Sequence, residues 1–299
     1  MVRLVYLGTP EAAVDPLRAL VAAGHDIALV VSRPDKRRGR GSALVPSPVK
    51  AAAMELGLPV TDVLEDVLGA GAELGVVVAY GRIIPAAVLD RIPMVNLHFS
   101  RLPRWRGAAP VERAILAGDA KTAVCLMAVD VDLDTGAIYA EEDTAIDENE
   151  SVDELKRRLV GIGCRLLEDH LADGLAGLPT PRAQAGEPTY AEKIRSEELQ
   201  LHWEMVASHL RRVVSLGRAW TTFRGKRLRV LRADRGTPAG GEPTVSEGDS
   251  PGALTGELVT AGEGTRLRLI TVQPEGKQPM AVADWLRGVR PEVGERLGS

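Results

Sequence analysis

Residues 95–110 read V-N-L-H-F-S-R-L-P-R-W-R-G-A-A-P. Val95, Leu97 and Phe99 alternate with Asn96, His98 and Ser100, the period of a half-buried strand. The alternation breaks at Pro103 in a segment that carries Arg101, Arg104, Trp105 and Arg106. An amide and an imidazole two residues apart on a strand share one face. Open α/β sheets gather their ligands at the carboxyl ends of strands. Asn96 and His98 therefore stand where chemistry is expected. Taken alone, Asn-x-His is more often a turn asparagine beside a satisfied core histidine, so the surrounding chain has to decide.

Upstream, Leu4–Leu7 reads as a buried strand that Gly8-Thr9-Pro10 turns into a helix, with Pro10 suited to its first position. Leu17, Leu20 and Val21 form the apolar stripe, Gly24 closes the helix, and Ile27–Val31 is a second apolar strand. Strand, helix, strand implies a parallel, doubly wound sheet. Leu74–Val78 is a further apolar strand, followed by Ala79-Tyr80-Gly81. No G-x-G-x-x-G follows the first strand, which removes the glycines a dinucleotide pyrophosphate needs. Downstream, Pro110–Leu116 reads as a helix, Val124–Val129 as a strand and Ile138–Ile146 as an outer strand. Ser151 and Glu154 spell a capping box. The helix it opens carries Leu155, Leu159, Ile162, Leu166, Leu167 and Leu171 at helical spacing, a core stripe.

Between the last two strands lie Asp130, Asp132 and Asp134, then Thr135-Gly136. The residues alone leave two readings, a solvated polar turn or a loop for a hard cation. Gly174–Thr189, rich in Gly, Pro, Ala and Thr, reads as a linker. Beyond it the pattern changes to short strands, Arg227–Leu231, Thr255–Val259 and Arg266–Val272, after a helix around Trp203–Val214. Gly236–Ala253 is a Gly/Pro/Ser/Thr-rich loop.

The chain's 299 residues can hold two domains, and 45% hydrophobic with 26% charged residues is ordinary for a packed protein. No run approaches the ~18 apolar residues of a membrane span, so no membrane partner is expected. Met1-Val2-Arg3-Leu4 enters a strand too quickly for a signal peptide. Cys125 and Cys164 are far apart in apolar surroundings and read as buried free thiols of a reducing, cytoplasmic compartment. The net charge is −4, yet Val206–Arg235 holds nine Arg or Lys against one acid, Asp234. Glu141–Glu154 holds eight acids and no base. Such segregation can give an acidic protein one basic face. Ser32–Pro48 adds a second basic region, a long loop with Arg33, Lys36, Arg37, Arg38 and Arg40, suited to a mobile arm on phosphates.

Residues 95–110 resemble the catalytic signature of the folate-dependent formyltransferases. The resemblance spans nearly the whole chain: Leu7-Gly8-Thr9-Pro10, Arg33-Pro34-Asp35, Pro46-Ser47-Pro48-Val49-Lys50, Val78–Pro85, Leu133-Asp134-Thr135-Gly136, Gln273–Lys277 and Asp284-Trp285-Leu286. It implies a Rossmann-like, doubly wound α/β catalytic domain over 1–187, a linker over 188–202 and an OB-type β-barrel over 203–299 that binds tRNA. The reaction it implies is acyl transfer from 10-formyltetrahydrofolate to the α-amine of methionine esterified to initiator tRNA, in the cytoplasm, by a monomer. Its catalytic residues map to Asn96, His98 and Asp134. Its folate segments map to Tyr80-Gly81, with the pterin held largely by backbone groups, and to Ser100-Arg101-Leu102-Pro103. Contacts to tRNA fall on Arg33, Lys36, Arg37, Arg38 and Arg40, and in the barrel on Arg211, Arg212, Arg224, Lys226 and Arg227. No metal and no nucleophilic Ser or Cys is called for.

The chemistry agrees with those residue types. An attacking amine needs a donor where the oxyanion forms, an imidazole to move a proton, and a carboxylate to orient that imidazole. Three positions depart from the family pattern and bear on the folate pocket: Phe99, Arg101 and Asp132. A sugar-nucleotide N-formyltransferase would share Asn96, His98 and Asp134 but would not need either basic region. A catalytically idle RNA-binding protein would not need the three residues. A nicotinamide oxidoreductase would need the missing glycines.

Overall fold

A computed structural model describes residues 1–37, 44–236 and 250–298. They fall into two compact units. One comprises Met1–Val111, Lys121–Ala145 and Leu155–Glu192; the other comprises Glu112–Ala120, Ile146–Glu154 and Lys193–Ser299.

Through residue 171 the main elements are β1 (Arg3–Gly8), α1 (Val14–Ala22), β2 (Asp26–Val31), α2 (Pro48–Glu55), β3 (Val60–Thr61), β4 (Leu74–Val78), α3 (Ala86–Leu89), β5 (Met94–His98), α4 (Pro110–Ala117), β6 (Lys121–Ala128), β7 (Ile138–Ala145) and α5 (Val152–Leu171). The seven strands form one sheet in the order β7-β6-β5-β4-β1-β2-β3. The run β3-β2-β1-β4-β5 is parallel throughout, as the strand-helix-strand pattern predicts. The two remaining strands correct that expectation, because β6 is antiparallel to β5 and β7 to β6. Residues 129–137, which join β6 to β7, are too few for the crossover a parallel neighbour requires. The chain leaves β1 for β2 on one side and returns to β4 on the other. That reversal opens a crevice at the carboxyl ends of β1 and β4, the usual ligand position in such sheets. There Thr9 Oγ1 donates to the Tyr80 carbonyl at 3.3 Å.

Alternation along the strands sorts side chains to the two faces. On one, Val5, Leu7, Val31, Val77 and Met94 pack with Leu64, Val67, Ile84 and Val88. On the other, Tyr6 donates to the Ala13 carbonyl at 2.5 Å. Leu97 lies against α5 at Gly163, where a Cβ would come 2.9 Å from Leu97 Cδ1. The predicted α5 stripe, Leu155, Leu159, Ile162, Leu166, Leu167 and Leu171, is wholly buried, each side chain worth on the order of 2 kcal/mol of transfer free energy. The capping box forms reciprocally: Ser151 N and Oγ donate to Glu154 Oε2 at 2.9 and 2.6 Å, and Glu154 N donates to Ser151 Oγ at 3.3 Å. Of the two cysteines Cys125 is buried as expected, whereas Cys164 is only half-buried. Burial still pushes the Cys125 thiol up to about 12 and the Cys164 thiol to about 11, so both stay protonated and unreactive at neutral pH.

Gly136 lies two residues before β7, where there is no room for a side chain. A Cβ there would sit 1.9 Å from the Ala128 carbonyl oxygen, which is backbone and cannot swing aside. Gly136→Ala is expected to cost about 3 kcal/mol of stability, read as a lowered thermal midpoint or loss of soluble protein. A wild-type melting curve would contradict this.

The second unit holds α6 (Ala207–Ser215), β8 (Trp220–Phe223), β9 (Lys226–Arg235), β10 (Leu254–Thr255), β11 (Leu258–Thr260), β12 (Arg266–Pro274), β13 (Met280–Ala281) and α7 (Val282–Val289). Its sheet is antiparallel, in the order β8-β9-β12-β11-β10, with β13 on β12. The expected strand over Thr255–Val259 is two strands, because Gly256 takes a left-handed conformation, φ 58°, and turns the chain between them. The expected helix begins at Ala207 rather than Trp203. Trp203 instead enters the core and donates Nε1–H to Thr221 Oγ1 at 3.1 Å. Phe223 and Trp285 meet edge to face, 5.0 Å between centroids. Among the described residues these pairings run from β8 to β10 without joining into a ring, so the closed barrel is not seen. Most of the predicted Gly236–Ala253 loop lies outside the described residues. Among the described residues no helix is long and apolar enough to cross a membrane.

Candidate active site

The end of β5 carries the site. Met94, Asn96 and His98 project to one face, and His98 is 5% exposed. The ring meets an oxygen at each nitrogen. Nδ1 lies 3.5 Å from Asp134 Oδ2, and Nε2 lies 2.9 Å from the Trp105 carbonyl oxygen. A neutral imidazole has one N–H and can satisfy one of these oxygens; a ring that has taken up a proton can donate to both. Asp134 Oδ2 also accepts the Gly107 N–H at 2.7 Å, which holds the carboxylate in place. The structure thus brings His98 and Asp134 together across 36 positions of sequence, with Asn96 on the same face of β5.

Two left-handed residues aim these groups. Asp134 has φ 53° and Trp105 has φ 65°. Aspartate tolerates that region, whereas a tryptophan there is an outlier held by its surroundings. Trp105 N–H donates to Thr189 Oγ1 at 2.9 Å, and Arg104 stacks on its ring at 4.5 Å. The turn points the Trp105 carbonyl back onto His98. Asp130 and Asp132 are exposed, and among the described residues no three His, Cys, Asp or Glu side chains converge as a metal site would require.

The predicted folate segments use most of their side chains to build the site. Tyr80 is buried in the core, so this segment offers its backbone; Ala79 and Gly81 flank it with φ 48° and 74°. Ser100 Oγ donates to the Arg104 carbonyl at 2.7 Å and closes the turn. Leu102 packs with Cys125, Met127 and Ile138. The Pro103 carbonyl accepts Thr189 N–H at 3.2 Å. Arg101 reaches out to β7, its guanidinium 3.5 Å from Glu141 and 3.4 Å from Asp143.

The predicted basic contacts are less uniform. The base of the first basic loop is a hairpin, with Lys36–Arg37 paired to Leu44–Val45 and Lys50 on Asp35 at 2.8 Å. Lys36 and Arg37 are exposed and Arg33 is half-buried, whereas Arg38 and Arg40 lie outside the described residues. In the second unit one of the expected positions is turned inward. Arg211 is 6% exposed, because α6 turns it inward with Leu210 and Val214. Arg212 is half-buried, its guanidinium beside Gly118. Arg224 is bound by both oxygens of Glu295, at 2.5 and 2.8 Å. Lys226 and Arg227 are exposed, the latter stacked 4.3 Å over Trp220.

Sequence reading missed what holds the loops. Residues 182–191 read as linker, yet Arg182 pairs its backbone with Ile138, and Tyr190–Ala191 forms a two-residue parallel ribbon with Arg106–Gly107. Gln184 within it touches Asp134, Gly136 and Arg106. A lone glutamine among Pro, Gly and Ala carries no periodic signal that could have marked it.

Comparison with known proteins matches residues 2–170 to the family described as formyl transferase, and residues 193–290 to the formyl transferase C-terminal domain. The methionyl-tRNA formyltransferase of Roseobacter denitrificans is 41% identical, over 98% of this chain and 97% of its own. That of Methylococcus capsulatus is 40% identical, over 99% of this chain and 100% of its own. Among solved structures, an N-formyltransferase from Helicobacter canadensis, determined with folinic acid and dTDP-3-aminofucose, superposes with a TM-score of 0.68. It covers 92% of this chain and 100% of its own, at 15% identity, and so shows a shared fold.

Proposed function

The chain belongs to the formyl transferase family, and from that premise we propose how it acts: it transfers the formyl group of 10-formyltetrahydrofolate to the α-amine of methionyl initiator tRNA. The single observation that carries the choice of acceptor is identity of about 40% along the whole of both chains to relatives of that name. The structural neighbour determined with dTDP-3-aminofucose shares 15%, which carries the fold and no substrate.

In this reading the amine attacks the formyl carbon, and the new N–C bond puts negative charge on the formyl oxygen. The Asn96 amide donates to that oxygen, and His98, its Nε2 exchanging the Trp105 carbonyl for the substrate, stabilises it and carries the amine proton to the folate nitrogen as the C–N bond to the formyl carbon breaks. Asp134, 3.5 Å from Nδ1, orients the ring and balances its charge once protonated. The backbone around Ala79–Gly81 and the Ser100–Pro103 turn line the donor's pocket, supported by their place at the strand ends beside His98.

Residues 1–187 form the catalytic domain and 203–299 an OB-type tRNA-binding domain, joined by 188–202. The bend that bulges at Val230 and Arg232 put into β9 supports a barrel-like curvature. The exposed cations Lys36, Arg37, Lys226 and Arg227 contact tRNA phosphates, whereas Arg211 supports α6. In this reading the enzyme acts as a monomer in the cytoplasm.

The test is transfer of labelled formyl from 10-formyltetrahydrofolate to methionyl initiator tRNA, beside an amino-sugar nucleotide control. Formylated tRNA alone is expected; transfer to the sugar alone would overturn the acceptor. Raising salt from 50 to 200 mM is expected to weaken tRNA binding on the order of a hundredfold if about four phosphates are contacted. Replacing both Lys226 and Arg227 with alanine should flatten that salt dependence by about two units of slope and raise KM more than it lowers kcat. An unchanged slope would remove these residues from the interface.

A further inference from the structure

Asp134 does its work from a left-handed backbone, and one side chain from a distant segment holds it there. Gln184 Nε2 donates to the Asp134 carbonyl at 2.8 Å and to the Gly136 carbonyl at 2.9 Å, the two carbonyls flanking Thr135. Its Oε1 accepts from Arg106, Nε at 3.1 Å and Nη2 at 2.7 Å. Arg106 lies between Trp105, whose carbonyl meets His98 Nε2, and Gly107, whose N–H meets the Asp134 carboxylate. One amide therefore ties together the loops that supply both oxygens around the imidazole. Gly136 is a fixed anchor, since its backbone lies directly against Ala128, and Arg182 N–H on the Ile138 carbonyl at 2.9 Å fixes the segment that carries Gln184.

The task needs an amide. It must donate two N–H groups to carbonyls and accept two from a guanidinium. A glutamate keeps the acceptor for Arg106 but turns a carboxylate on two carbonyl oxygens. A lysine keeps donors and repels Arg106. We infer that Gln184 is a positioning residue for the transfer reaction, setting the Asp134 carboxylate against His98 Nδ1. It never touches substrate, and the inference rests on the roles of His98 and Asp134 proposed above.

The experiment is a double-mutant cycle of Gln184→Ala with Asp134→Asn, with Gln184→Glu alongside, read as kcat and KM for both substrates and as thermal midpoint. Gln184→Ala is expected to melt within a few degrees of wild type, being half-buried and outside the core clusters. Its kcat should fall on the order of tenfold to a hundredfold with both KM values within about twofold, because loose loops misplace the carboxylate without emptying the substrate pockets. Gln184→Glu should lose as much, despite equal size and a retained Arg106 contact. In the Asp134→Asn background the same change should cost less than about threefold, since a residue acting through Asp134 has little left to position. Wild-type kcat for Gln184→Ala, or a full additive loss in the Asp134→Asn background, would overturn the inference while leaving His98 and Asp134 in place. An Asp134→Asn variant as active as wild type would overturn the reading of the site itself, and this inference with it.

Discussion

His98→Ala is expected to lower formyl transfer by about a hundredfold or more with little change in thermal stability, and Asn96→Ala by a similar factor. A hundredfold corresponds to about 2.7 kcal/mol of transition-state stabilisation. The size follows from what the ring has around it. His98 is almost fully buried, so its interactions with developing charge are poorly screened by water. Its nitrogens lie 3.5 Å from a carboxylate and 2.9 Å from a carbonyl, both acceptors for a ring that has just taken a proton. Alanine removes proton carrier and donor together, leaving only bound substrates near one another. Asn96, on the same face of β5, loses with its amide the donor proposed above for the oxyanion. Single-turnover formylation with both substrates saturating measures the loss without confusion from product release. Wild-type single-turnover rates in either folded variant would refute that residue's role.

Asp134→Asn should lower kcat on the order of a hundredfold while keeping KM and fold. The same oxygen, Oδ2, meets both the Gly107 N–H and His98 Nδ1. An asparagine must keep its carbonyl oxygen at that place, because its NH₂ there would face the Gly107 N–H donor to donor. Geometry is preserved and only the charge is lost. The variant therefore isolates the electrostatic part, the partner of a protonated His98. If Asp134→Asn turned over like wild type, the carboxylate would have a purely structural role, which the asparagine can fill. If it lost both kcat and folding, the Gly107 hydrogen bond would be the larger contribution.

Much of this could be read from residue order alone. Period-two alternation over Val95–Ser100 put Asn96 and His98 on one face of a strand, and the structure has them there. Leucine spacing from Leu155 to Leu171 and the Ser151/Glu154 pair specified a capped, buried helix, since both are local patterns. What local pattern does not record is where a turn brings the chain back. Whether β6 and β7 join the parallel sheet or fold against its edge depends on connection length and pairing partners. The split of residues 254–260 depended on one glycine's backbone angle. Arg211 counted as one more base in a basic run until helix geometry turned it inward.

The sequence by itself was enough to place the chain in its family and to propose three residues for the chemistry, because the resemblance runs along nearly the whole chain and residue types and strand period are local properties. Only the tertiary structure decided how those residues are held. Asp134 reaches His98 through a left-handed turn, Trp105 turns its carbonyl to the same ring, and a stretch that reads as linker closes over both loops through Gln184 and Thr189. The contacts of Gln184 with Asp134 and of Thr189 with Trp105 join residues 50 and 84 positions apart. A hydrogen bond between such distant groups leaves no periodic trace in sequence, since it is set by the path of the folded backbone rather than by neighbouring residues.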